Sequence, residues 1–134
     1  MSNTGYNWSA WTTLVNGQAI THGNDNTSAE VDLDNKIACE VSVSTLYSDH
    51  AITAGAINYA LGEIESGGPT YQTEDDGPWS AGEMAYVQNG TRRDHFGIDP
   101  SQMGKFKILT TYDGGAGSTA TVTIRYRTAT LKTQ

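Results

Sequence analysis

Apolar and polar residues alternate with period two along much of the chain. In KIACEVSVSTL (Lys36–Leu46), Ile37, Cys39, Val41, Val43 and Thr45 share one phase, and Ala38, Glu40, Ser42 and Ser44 share the other. Successive strand side chains point to opposite faces, so this is the pattern of a strand with one face on a core and one facing water. STATVTIRYRTATL (Ser118–Leu131) repeats it, with Ala120, Val122, Ile124 and Tyr126 against Thr121, Thr123, Arg125 and Arg127. The same logic predicts strands in AGAINYALGEI, in EMAYVQ and in GKFKILTTY, where Phe106 and Ile108 oppose Lys105 and Lys107. Shorter strands are predicted at WTTLV with AIT and at AEVDL, for seven to nine strands in all.

Turn chemistry separates these runs. Asn16-Gly17, HGNDN from His22, Asp34-Asn35, ESGGP, DDGP, Asn89-Gly90, DPSQMG and DGGAG supply residues that accept positive φ or preset it near −65°. No window of helical length carries an apolar stripe. A single helical turn is allowed at Pro100–Met103, with Asp99 as its cap and Pro100 in the first position. Many short strands with glycine-rich turns predict an all-β fold: one antiparallel β-sandwich of about eight strands, jelly-roll-like. Residues 1–10 are read as an N-terminal arm and 11–134 as the sandwich domain.

Composition supports this picture and narrows the function. Hydrophobic residues are 37% of the 134 and charged residues only 17%, so the polar surface rests on hydroxyls and amides, which strands tolerate well. The net charge of −7 repels phosphate backbones and anionic lipid, so no nucleic-acid or membrane partner is expected. One cysteine excludes an intrachain disulfide, and Cys39, on the apolar phase, is expected to be a buried hydrophobe. The start, MSNTGYNWSAW, has neither a basic region nor an apolar segment, which predicts synthesis in a cytoplasm.

Candidate chemistry begins with TRRDHFGIDPSQM (Thr91–Met103), where Arg92, Arg93, Asp94 and His95 crowd together. In a strand, Arg93 and His95 face one way and Asp94 the other, so the three do not converge as an acid–base set. Thr91–Ile98 is predicted as a strand whose Phe96 and Ile98 point to the core. Arg92, Arg93 and His95 are left as a polar edge for a partner. No serine or cysteine stands in a nucleophile motif, and a hydrolase or lyase using His95 as base is the weakest reading. Asp25, Asp32, Asp34, Glu74, Asp75, Asp76 and Asp113 could supply oxygens to calcium but form no calcium loop; TEDDGPW is the best local candidate and reads rather as a solvated acidic turn before Pro78. Three scattered histidines with one cysteine form no zinc set. No catalytic residue, metal or cofactor is expected. Tyr6, Trp8 and Trp11 cluster near the start and suit a docking surface. Tyr71 and Trp79 flank QTEDDGP, a geometry for stacking on sugar rings or, for Trp79 as for Trp11, for capping a small core.

The runs SAEVDLDNKIACEVSVSTLYSD, YQTEDDGPW and HFGIDPSQMGKFKILTTYDGG, with the last strand TATVTIRYRTATL, resemble small β-sandwich virion proteins of tailed bacteriophages, closest in style to head-decoration or cement proteins. The resemblance spans about Trp11 to Leu131. It implies a jelly-roll-like subunit, often a trimer, that binds the major capsid protein on the outside of a phage head and bridges shell subunits. No catalytic residues come with it. A virion location on the capsid surface follows, with Tyr6, Trp8, Trp11, Arg92, Arg93 and His95 as the candidate partner-binding residues. The alternative is a collar- or tail-associated module that binds host carbohydrate through Tyr71 and Trp79.

Overall fold

A computed structural model describes residues 5–47, 56–63, 79–85, 90–101, 104–113 and 119–132. Its strands are β1 (Tyr6–Trp8), β2 (Thr12–Thr21), β3 (Asp25–Thr27), β4 (Val31–Asp32), β5 (Ala38–Tyr47), β6 (Ala56–Glu63), β7 (Trp79–Ala85), β8 (Thr91–Ile98), β9 (Lys105–Asp113) and β10 (Thr119–Leu131). No helix occurs among the described residues. Among the described residues every pairing is antiparallel.

Sheet I contains β1, β2, β10, β5 and β8, and sheet II contains β3, β4, β9, β6 and β7. β1 and β2 lie end to end along one side of β10, from Tyr6↔Leu131 to Thr21↔Thr119. β3 and β4 divide an edge of β9 in the same way, from Asp25↔Thr111 to Asp32↔Lys105. The ten segments therefore make eight rows, four to a sheet, and with rows numbered along the chain the orders are 1-8-3-6 and 2-7-4-5. This is the jelly roll, in which the chain passes between sheets at nearly every connection. Tyr6–Trp8, inside the segment read as an arm, form the short edge strand β1.

Both split edges are joined by the same device, a serine followed by alanine. Ser9 N–H donates to the Thr128 carbonyl at 2.8 Å, and Ser9 Oγ accepts from Thr128 N–H at 3.1 Å while donating to the Ala10 carbonyl at 2.9 Å. Ser28 N–H donates to the Ile108 carbonyl at 2.9 Å, and Ser28 Oγ accepts from Ile108 N–H at 2.9 Å while donating to the Ala29 carbonyl at 2.8 Å. Where the edge backbone turns away from its neighbour, the hydroxyl takes over the acceptor role that a strand carbonyl would fill. The inner strand thus keeps its N–H bonded, as a buried amide requires.

The core lies between the sheets. Cys39, Val41, Val43, Thr45 and Tyr47 of β5, with Ala120, Val122 and Ile124 of β10, face Phe106, Ile108, Thr110 and Tyr112 of β9, and all are buried. Tyr47 and Tyr112 are fully buried with ring centroids 6.1 Å apart. The predicted inward and outward phases of β5, β8, β9 and the first half of β10 hold residue by residue. Ile37 departs: it precedes β5 and is exposed. Toward the end of β10, Thr128 and Ala129 are both buried, which breaks the alternation.

Other expectations are corrected. Asn16-Gly17 does not turn the chain between two strands, because β2 runs through it. Gly17, at φ 61°, lies where the pairing of β2 with β10 shifts register, and its N–H donates to Thr123 Oγ1 at 3.1 Å. A positive-φ glycine is the usual way to absorb an extra residue in a ladder. The strand predicted in EMAYVQ starts earlier, at Trp79, and pairs with β6 over Trp79–Ala85; residues 86–89 fall outside the described ones. At Asp99 the carboxylate accepts from Ser101 N–H at 2.9 Å and from its hydroxyl at 2.8 Å, and Pro100 and Ser101 form a turn. The backbone bond and then the hydroxyl bond hold the Asp99 carboxyl below its ordinary value. Gln102 and Met103 lie outside the described residues.

Candidate functional site

The outer face of sheet I is built from cross-strand rows that β8, β5 and β10 bring into line. Pairing sets Arg93 beside Ser44 and Ser44 beside Thr123, then His95 beside Ser42 and Ser42 beside Arg125, then Gly97 beside Glu40 and Glu40 beside Arg127. Each of these side chains is on the phase opposite the core, since the flanking Val41, Val43, Val122 and Ile124 point inward. Opposed residues on one face sit roughly 4.5–5.5 Å apart at Cβ, close enough for long side chains to meet.

Arg127 is the centre of one cluster. Its guanidinium carbon lies 4.3 Å from the Trp8 ring centroid and 5.0 Å from that of Trp11, so two indoles flank one cation. Its Nη2 and Nε both donate to Glu40 Oε2, at 2.7 Å and 2.9 Å. His95 Nε2 is 3.3 Å from the same oxygen, and the His95 ring meets Trp11 edge-on at 5.8 Å between centroids. Tyr6 adds an edge-on contact to Trp8 at 5.7 Å. The indole faces favour the cation and Glu40 neutralises it, so a half-buried arginine is held in place from several sides.

Four of the six residues singled out in sequence, Tyr6, Trp8, Trp11 and His95, meet in this cluster. Arg93 shares their face one row beyond His95. Arg92 is exposed but on the opposite phase of β8, paired with Thr45. Trp11 is 41% exposed on the outer face, so it does not cap the core. Trp79 opens β7, and Tyr71 lies outside the described residues, as does TEDDGPW up to Pro78. Sequence reasoning missed Arg127 and Glu40 as site residues. Both stand out only as outward-phase charges in apolar strands, and nothing along the chain says that positions 87 apart will bond.

Beside the cluster, Tyr6, Trp8, Ile37, Ala38, Glu40, Gly97 and Asp99 line a shallow groove at the end of sheet I. Tyr6 pairs with Leu131, and Tyr6, Ile37 and Leu131 are large apolar side chains left exposed. The face as a whole carries Arg93, Arg125 and Arg127 against Glu40, a local positive excess on a chain of net charge −7. No group of three or more metal-ligating side chains occurs among the described residues. Cys39 is buried below this face, and burial first, then the Glu40 charge, pushes its thiol up to about 12.

The fold is similar to a chain in the structure of infectious bursal disease virus, Gx strain, with TM-score 0.52 and 12% identity, over 94% of this chain and 32% of that one. The chain thus spans about a third of the length of that neighbour. The coat protein of Tobacco streak virus aligns over 93% of this chain and 88% of its own, with TM-score 0.41 and 10% identity. No protein-family model and no curated protein sequence matches the chain. The first likeness shows a shared fold.

Proposed function

We propose that the chain is a structural virion protein: a capsid decoration or cement protein that binds the outside of a phage head and stabilises the shell by bridging capsid subunits, without catalysis. The observation that carries this reading is the outer face of sheet I. An aromatic, arginine-centred surface with exposed Tyr6, Trp11, Ile37 and Leu131 at its margin has the composition of a protein-binding patch, rich in Trp, Tyr and Arg. The jelly roll and the shared fold with a virus structure are consistent with it. The partner in this reading is the major capsid protein, and the subunit is a homo-oligomer, a trimer, on the capsid surface. Many copies on one particle make individually weak contacts hold through effective concentration.

Co-sedimentation with purified phage heads tests the proposal. The protein pellets with heads and saturates, while the Trp8→Ala/Trp11→Ala variant, folded by circular dichroism, loses occupancy at least tenfold. Failure of the native protein to bind heads at any concentration overturns the reading, and binding unchanged in the double variant removes the surface from it.

A further inference from the structure

A second feature of the same face is separate from the aromatic cluster. Ser42, Ser44, Arg93, Thr123 and Arg125 line a polar cleft of about 240 Å³. The register explains its shape. Ser42 and Ser44, the outward residues of central β5, are short and form the floor. Arg93 rises from β8 on one side, and Arg125 and Thr123 rise from β10 on the other, two strand spacings or roughly 9–10 Å apart at the backbone.

Every side chain in the cleft can donate. Arg93 and Arg125 are exposed and have no ion-pair partner among the described residues, and the hydroxyls of Ser42 and Ser44 have no hydrogen-bond partner among them. Thr123 Oγ1 already accepts the Gly17 N–H, which leaves its hydroxyl hydrogen to give. The carboxylate nearest in register, Glu40 in the next row, is turned to Arg127 of its own row and to His95 and does not neutralise the two arginines. Two arginines on opposite sides of three hydroxyls, diagonal to each other with Arg93 in the Ser44–Thr123 row and Arg125 in the Ser42 row, match a group with several acceptor oxygens and negative charge. A single such group fits a cleft of this size even on an acidic protein, since the arginines act at contact distance while the distant carboxylates are screened.

We infer that the Arg93–Arg125 cleft is a binding site for one tetrahedral oxyanion, a phosphate or a sulfate ester group. The group is either a free ion or a substituent on a polymer. This site does not depend on the virion role and stands or falls separately. Arg93 and Arg125 clamp the oxygens from either side, and the serine floor excludes larger side chains while donating from below.

The test is a titration of the full chain with inorganic phosphate, inorganic sulfate and a sulfated monosaccharide, followed by amide chemical shifts at about 0.1 M ionic strength, where the distant carboxylates are screened. Saturable shifts confined to β5, β8, β10 and the Gly17 amide bonded to Thr123 are expected, weakened at least tenfold in both Arg93→Gln and Arg125→Gln and unchanged in Arg92→Gln, which lies on the opposite phase. Tighter binding of the sulfated sugar than of either ion assigns the site to a polymer substituent; equal or weaker binding assigns it to the free ion. No saturable shift with any of the three, or equal loss in Arg92→Gln, overturns the inference. Ser42→Val is a second variant that fills the floor without removing charge, and unweakened binding in it also contradicts the geometry.

Discussion

At the scale of single residues, two buried groups make sharp predictions. Thr110 Oγ1 has no hydrogen-bond partner among the described residues and is fully buried on the inner face of β9. Its desolvation is uncompensated, at a cost of about 1–3 kcal/mol, so Thr110→Val, nearly the same shape without the hydroxyl, is expected to raise stability by about 1 kcal/mol in urea denaturation. Cys39 is expected to resist thiol reagents in the native state at pH 8 and to react at once in denaturant, because burial keeps it protonated with its value pushed up to about 12. The sign of its pH dependence follows: the folded thiol holds its proton more tightly than the unfolded one. Its contribution is therefore complete below the unfolded value near 9.0 and is lost as pH rises from there toward 12. Cys39→Ala is expected to flatten that part of the stability profile.

Among the elements, the split edge strands are the informative feature. Ser28 is buried and Ser9 exposed, though each bonds its neighbour strand in the same way. Ser28→Ala strands the Ile108 N–H away from water and is expected to cost about 1–3 kcal/mol, whereas Ser9→Ala lets water replace the lost bond and is expected to cost under about 1 kcal/mol. Equal losses in chemical denaturation would contradict the role given to burial. β5, β8, β9 and most of β10 were legible because a core on one side imposes strict alternation, visible in Cys39 to Thr45 and in Ala120 to Ile124. β1 and β3 were not. Tyr6–Trp8 and Asp25–Thr27 are too short to show a period, and they are strands only because β10 and β9 present unpaired edges to them. β2 was misread as two pieces because Asn-Gly is a strong hairpin signal, and a bulge uses the same glycine chemistry. The site was half legible: the aromatics and His95 announce themselves by residue type. Their convergence on Arg127 and Glu40 depends on a register between strands from opposite halves of the chain.

For the whole molecule, the jelly roll leaves one sheet face with an arginine flanked by two indoles, a carboxylate that holds it, and an exposed apolar margin, on an otherwise acidic, hydroxyl-rich protein. The Arg127 contacts tie β1 to the rest of sheet I, so Arg127→Ala is expected to cost about 1–3 kcal/mol and to raise hydrogen exchange in β1 selectively, while the core strands stay protected. The proposed role requires this face to meet a capsid. The most direct measurement is a cryo-electron microscopy reconstruction of phage heads saturated with the protein, at a resolution that orients each sheet. Density for the subunit is expected on the outside of the shell, with Trp8, Trp11 and the outer face of sheet I against capsid subunits that it bridges. A subunit absent from the head, or bound with that face turned to solvent, would contradict it.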